Sequence, residues 1–164
     1  MSQSPPINDQ TIQRRAPEPL EEAVEKAVAD MLAFNLRAYR LGNVPVQRAD
    51  SAADLELPAI VVRALRVRES IPAGDVYEMV VTVSVMGLMD RLNDSDPDPL
   101  EYYDRLWSAV IAVLGDPQLL AVLNDSRTTV RWHGLSRQGS VTSDRQDRHA
   151  TRAYELMIHV SRLA

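Results

Sequence analysis

Apolar positions recur at three- and four-residue spacing from Pro19 onward, where Leu20, Val24, Ala27, Val28, Met31, Leu32 and Tyr39 fall along one helical stripe. Glu21, Glu22 and Glu25 occupy its first turns, Arg37 and Arg40 its last, and Gly42 supplies a stop, so the spacing predicts a helix over Leu20–Leu41. The pattern then changes period. Residues 59–67 and 76–88 are rich in β-branched side chains and flank a turn-like Ser70-Ile71-Pro72-Ala73-Gly74-Asp75, which predicts a β-hairpin. In its second strand Tyr77, Met79, Val81, Val83 and Val85 share one face, and Glu78, Thr82 and Ser84 the other.

Helical spacing returns after Asp98-Pro99-Leu100-Glu101, which combines an N-cap residue, proline at the first helical position and glutamate at the capping-box position. Leu106, Val110, Val113 and Leu114 form the stripe with Trp107 beside it, and Gly115 ends it. Asp116-Pro117 restarts a short helix through Leu119, Leu120 and Leu123. Two strands close the chain: Thr128–His133, and Ala150–Ser161 with Tyr154, Leu156, Ile158 and Val160 on one face. Between them Gly134–Arg148 is polar, arginine-rich and glycine-punctuated, and reads as an extended hairpin loop rather than a tight turn.

The predicted fold is therefore α+β: a four-stranded antiparallel sheet with helices packed on one face, in the order α-β-β-α-α-β-β. The second sheet face carries Thr151, Ala153, Glu155, Met157, His159 and Ser161, a mixture that suits a subunit contact as well as a wet surface. Residues 1–17, with Pro5, Pro6 and Pro17 and no periodicity, are expected to form a flexible arm, leaving 18–164 as a single domain.

Composition agrees with one hydrophobic core: 164 residues, 45% hydrophobic and 25% charged. There is no cysteine, which excludes disulfides, thiolate metal sites and cysteine nucleophiles. No apolar run reaches membrane-spanning length and the N-terminus lacks a signal-peptide pattern, so a soluble, unexported chain is expected. Lys26 is the only lysine, and the net charge is −5. That charge is unevenly placed. Residues 90–126 carry eight acids and two bases, whereas 127–164 carry three acids and seven bases. An acidic middle and a basic end suit a subunit whose front docks on its neighbour's back.

Catalytic and ligand-binding patterns are tested and fail. Asp94, Asp96 and Asp98 match the opening ligands of a calcium loop, but Pro99 stands where glycine is needed and Arg105 where the bidentate glutamate belongs. Gly134-Leu135-Ser136-Arg137-Gln138-Gly139 is one residue too long for a nucleophile elbow. If the last hairpin turns near Val141, His133 and His149 face each other across it, a weak metal pair with no further ligand specified. No dinucleotide fingerprint or P-loop is present, so no enzyme chemistry and no cofactor are expected. The arginines Arg127, Arg131, Arg137, Arg145, Arg148 and Arg152 have only Trp132 and Tyr154 as neighbouring aromatics. Protein carboxylates suit them better than nucleic acid does.

The element order, with its particular residues, resembles the tail-terminator (tail-completion) proteins of long-tailed bacteriophages, over roughly residues 20–164. The resemblance is carried by the leading helix and the strand opening Leu57-Pro58-Ala59-Ile60-Val61-Val62. The long strand from Val76, the acidic entry Asp94–Pro99 with its helix, the Gly115-Asp116-Pro117 break and the final strand pair complete it. It implies a non-enzymatic virion protein, forming a hexameric ring that caps the tail tube, stops its polymerisation and offers a docking surface to the head–tail connector. Six copies of a chain of charge −5 would total about −30, so DNA is expected to pass the lumen without specific binding. The expected partners are thus copies of the chain, the tube protein and the connector, in the virion tail or neck. Candidate interface residues are Arg131, Arg137, Arg145, Arg148 and Arg152 on the basic side, Asp94, Asp96 and Asp98 on the acidic side, and Met157 and His159 on the open sheet face. A head–tail joining protein is the neighbouring alternative, and an arginine-dependent nucleic-acid module a more distant one.

Overall fold

The computed structural model describes residues 18–49, 56–70, 75–88, 98–125, 129–146 and 149–162. Along these the elements are α1 (Leu20–Asn35), a 3₁₀ turn (Leu36–Tyr39), β1 (Val46–Arg48), β2 (Ala59–Ser70), β3 (Val76–Leu88), α2 (Pro99–Leu114), α3 (Leu119–Asp125), β4 (Val130–Gln146) and β5 (His149–Arg162). The fold is α+β, as the periodicities predict. The sheet, however, has five strands rather than four and is mixed rather than antiparallel, in the order β1-β2-β3-β5-β4. The addition is β1, which pairs parallel to β2 through Val46↔Ile60, Gln47↔Val61 and Arg48↔Val62. Three residues are too few to leave an alternation in the sequence.

Two helix boundaries follow from local chemistry. Asp98 caps α2 as its sequence predicts, its Oδ1 accepting from the Leu100 amide at 3.1 Å, with Pro99 at the first turn. The α-helical part of the leading helix stops at Asn35, earlier than its apolar stripe suggests, and tightens into the 3₁₀ turn. Arg40 then takes a left-handed conformation (φ 60°), and the Leu41 amide donates back to the Leu36 carbonyl at 3.0 Å. The stop comes at Arg40, two residues before the glycine expected to supply it.

The largest departure is at Gly134–Arg148. The segment read as a loop is β-strand through Gln146, and the hairpin junction falls after Gln146 instead of near Val141. The reason is β5, whose fourteen residues need a hydrogen-bonded neighbour on the side away from β3. β4 supplies one from Val130↔Arg162 to Gln146↔His149, absorbing its extra residues in bulges at Trp132/Gly134 and Arg137/Val141. The predicted start at Thr128 lies outside the described residues; β4 begins at Val130. Arm residues 1–17 also lie outside the described residues.

β3 and β5 form the centre of the sheet, in register from Tyr77↔Val160 to Leu88↔His149. Their inward rows, Met79, Val81, Val83 and Val85 with Leu156, Ile158 and Val160, are fully covered by the helices. Leu20, Val24, Val28 and Leu32 of α1, Leu106, Val110 and Leu114 of α2, and Leu119 and Leu123 of α3 pack on them. Each such side chain contributes about 1.5–3 kcal/mol on burial. All three helices lie on the one face.

Candidate assembly surfaces

With every described helix on one side, the sheet presents three kinds of outer surface: the helix backs, the face opposite the helices and the two edges. Charge sorts between these layers. The helices, 3₁₀ turn included, carry seven acids against three bases, and the strands nine bases against four acids. Part of this difference is used within the subunit. Arg48 pairs with Glu22 and Glu25 at 3.2 Å each, Arg66 with Glu21 at 2.9 Å, and Arg152 with Asp104 at 3.0 Å. Burial opposes the Arg48 charge, but its hydrogen bond to Glu25 and the charge of Glu22 prevail and hold its pKa above the usual arginine value.

The two edges are closed by side chains at one point each. On the β2 side, β1 ends at Arg48, and the next outward amide of β2, that of Ala64, donates to Glu25 Oε1 at 3.0 Å. Glu25 is 4% exposed, and its other oxygen accepts from Arg48 Nε at 3.2 Å. A helical carboxylate thereby stands in for the strand that β1 is too short to provide. On the β4 side, Asn124 of α3 donates from Nδ2 to the Trp132 carbonyl and accepts the Trp132 amide on Oδ1, both at 2.9 Å. The Trp132 indole is buried beneath, its Nε1 without a hydrogen-bond partner among the described residues. Neither Glu25 nor Asn124 is a site residue by sequence pattern: each flanks an apolar stripe and looks like an ordinary polar helix position.

The face opposite the described helices is lined by alternate residues of the central strands, all of them buried or half-buried. In register across β3 and β5 stand Glu78 and His159, Val80 and Met157, Thr82 and Glu155, and Ser84 and Ala153. Glu78 is buried there, 3.7 Å from His159 Nε2, an ion pair when the imidazole is protonated. Leu65 of β2 is 58% exposed and Val67 is 53% exposed. Arg63 lies on the same face as Leu65, in line with Thr82 and Glu155. On the opposite side, the helix backs expose Phe34, Tyr39 and Val122. Tyr39 and Val122 border a groove of about 180 Å³ floored by Met31, Val113 and Leu119.

The expected interface residues separate into several environments. Met157 and His159 lie half-buried on the sheet face opposite the described helices, as their strand alternation predicts, and Arg131 is exposed at the start of β4. Arg152 is on the helix side, ion-paired to Asp104 and 5.2 Å over the Tyr103 ring. Asp98 is a helix cap. Arg137 and Arg145 belong to β4 rather than to a loop, and Asp94, Asp96 and Arg148 lie outside the described residues. His133 and His149 do not face each other. His149 pairs with Gln146 at one end of the hairpin, whereas His133 shares a 2.7 Å hydrogen bond with Ser161 at the other. Among the described residues no group of three or more potential ligands is placed to hold a metal ion.

Packing is close at the foot of β3, where Gly87 lies inside the strand. A Cβ there would overlap Cδ2 of Tyr103, whose ring is buried. The phenol donates to the Val85 carbonyl at 3.3 Å, and burial raises its pKa above the usual tyrosine value, against a smaller opposing pull from Arg152. Beside it, Pro58, Leu88, Pro99 and Tyr102 line a cleft of about 180 Å³.

Neither a protein-family model nor a curated protein matches the chain.

Proposed function

We propose that the chain is a structural subunit of the tail-terminator kind. Copies close into a hexameric ring on the last layer of a phage tail tube, block further addition of tube subunits and present the docking surface for the head–tail connector. The acidic sum of six subunits leaves DNA free to pass the lumen. The observation that carries this reading is the one-sided architecture. Every described helix packs on one sheet face, while on the other face Leu65 stands strongly exposed. A protein that acts by occupying a surface has use for such a face. Four of the seven helix acids, Glu21, Glu22, Glu25 and Asp104, are already paired with strand arginines inside the subunit, so shape and edge pairing rather than charge would hold copies together.

Electron microscopy of the purified chain mixed with growing tail tubes tests the reading. Rings at tube ends, with tube length frozen after addition, are expected. Binding to portal complexes with no effect on tube growth would reassign the chain to head–tail joining, and single particles in all mixtures would end the ring proposal.

A further inference from the structure

The two sheet edges are sealed at Ala64 and at Trp132, and the space between these seals is open on both sides at the same height. Following the pairing across the sheet, Leu65 lies in line with Val80, Met157 and Ser136. Arg66 lies in line with Met79, Ile158 and Leu135, and Arg68 with Glu78, His159 and Gly134. The window Leu65–Arg68 on β2 therefore stands level with Gly134–Ser136 on β4. The Glu25 seal bounds it at one end and the Asn124 seal at the other. Among the described residues no strand pairs with either outer edge here.

The polarity of the two windows is complementary. β2 is antiparallel to β3, β3 to β5 and β5 to β4, so β2 and β4 run in opposite directions. A copy brought alongside by simple rotation would lay its β4 antiparallel to β2 of the first, the stronger ladder arrangement. Hydrogen-bonding direction matches as well. The Ala64 amide points outward to Glu25, so the alternation of an antiparallel strand turns the N–H and C=O of Arg66 outward too. On β4 the Trp132 amide points outward, and the one-residue bulge at Trp132/Gly134 passes that orientation to Leu135. Arg66 and Leu135 are the residues in line. The Arg66 side chain does not obstruct the edge, because it is turned onto Glu21 and the Tyr77 ring, 2.9 and 4.3 Å away.

We propose that a second copy of this chain adds its β4 window to the β2 window of the first, so that the sheet continues from subunit to subunit and the exposed Leu65 is covered at each joint. The proposal rests on the ring reading above and names its contact. It makes Arg66 of one copy and Leu135 of the next a hydrogen-bonded pair, and Leu65 and Ser136 the adjacent non-hydrogen-bonded pair, with Cα atoms about 4.5 Å apart.

That pair supplies the test, because the chain has no cysteine. Within one subunit Leu65 and Ser136 are separated by three strand spacings of about 4.8 Å each. A disulfide needs Cα atoms about 4.4–6.8 Å apart, so none forms inside a subunit. Full-length Leu65→Cys/Ser136→Cys protein, with its melting temperature checked against wild type, is oxidised alone and on tail tubes and run on non-reducing gels. A ladder of covalent oligomers is expected, and an equimolar mixture of the two single variants should give the cross-linked heterodimer and nothing larger. The mixture also serves if the double variant folds poorly. Absence of cross-links while the wild type forms rings would overturn the edge joint and leave the ring standing. Homodimers of the single Leu65→Cys variant, in place of the heterodimer, would replace it with a two-fold contact. Wild type that stays monomeric with and without tubes would remove the ring and the joint together.

Discussion

Asn124 and Trp132 exchange two hydrogen bonds, amide side chain to peptide backbone, in the geometry one strand offers another. Removing the side chain leaves a donor and an acceptor at the strand edge unpaired. Asn124→Ala is expected to lower stability by about 1–3 kcal/mol. For a chain of this size that is a fall in Tm of about 2–4 °C per kcal/mol, measurable by circular dichroism. Asn124→Asp keeps the acceptor but sets a carboxylate against the Trp132 carbonyl, and should be no better than alanine.

Glu25 holds the opposite edge by different chemistry. Glu25→Ala strands the Ala64 amide and takes a partner from Arg48, which keeps Glu22 and is partly open to water. A loss of about 2–4 kcal/mol is expected, near the lower end for breaking a buried pair. Glu25→Gln retains an acceptor for Ala64 and should recover part of it. Denaturant midpoints at constant m-value check both.

Gly87 and Tyr103 should behave as one unit. Gly87→Ala forces a Cβ into the Tyr103 ring and is expected to cost about 1–3 kcal/mol through overpacking. In a Tyr103→Ala background, itself costly, most of that penalty should vanish. A double-mutant cycle with additive effects would mean that the ring moves aside freely.

Tyr103 also sets an alkaline limit. Its folded pKa lies above the unfolded value of about 10, so the folded state holds its proton more tightly. The stability this contributes is complete below pH of about 10 and is lost as pH rises through the folded pKa. Tyr103→Phe gives up the hydrogen bond to Val85, about 0.5–1.5 kcal/mol, yet its stability should decline less steeply than the wild type's above pH of about 10. Urea titrations at a series of alkaline pH values would show parallel curves if the phenol were solvated.

What the sequence made legible follows the strength of its periodicities. The inward rows Met79–Val85 and Leu156–Val160, the Asp98 cap and the short helix after Asp116 are all readable, because each rests on contacts within one element or on burial of one face. β1 is not readable, since a three-residue parallel strand exists only because β2 offers it an edge. Neither is most of β4. Its composition is that of a loop, and only the need of β5 for a neighbour makes it a strand. The same holds for the seals: Glu25 and Asn124 acquire their roles from strands far away in sequence, Ala64 and Trp132. Arg152 was legible as a basic residue but not as one already held by Asp104, a contact made across the layers.

The seat between β3 and β4 is taken by β5, which follows β4 in the chain. Until residues 149–162 leave the ribosome, β3 has a neighbour on one side only, and half of the inner wall beneath the helices is missing. The core is therefore complete only once β5 is in place, and truncation before His149 removes the middle of the sheet instead of trimming its rim.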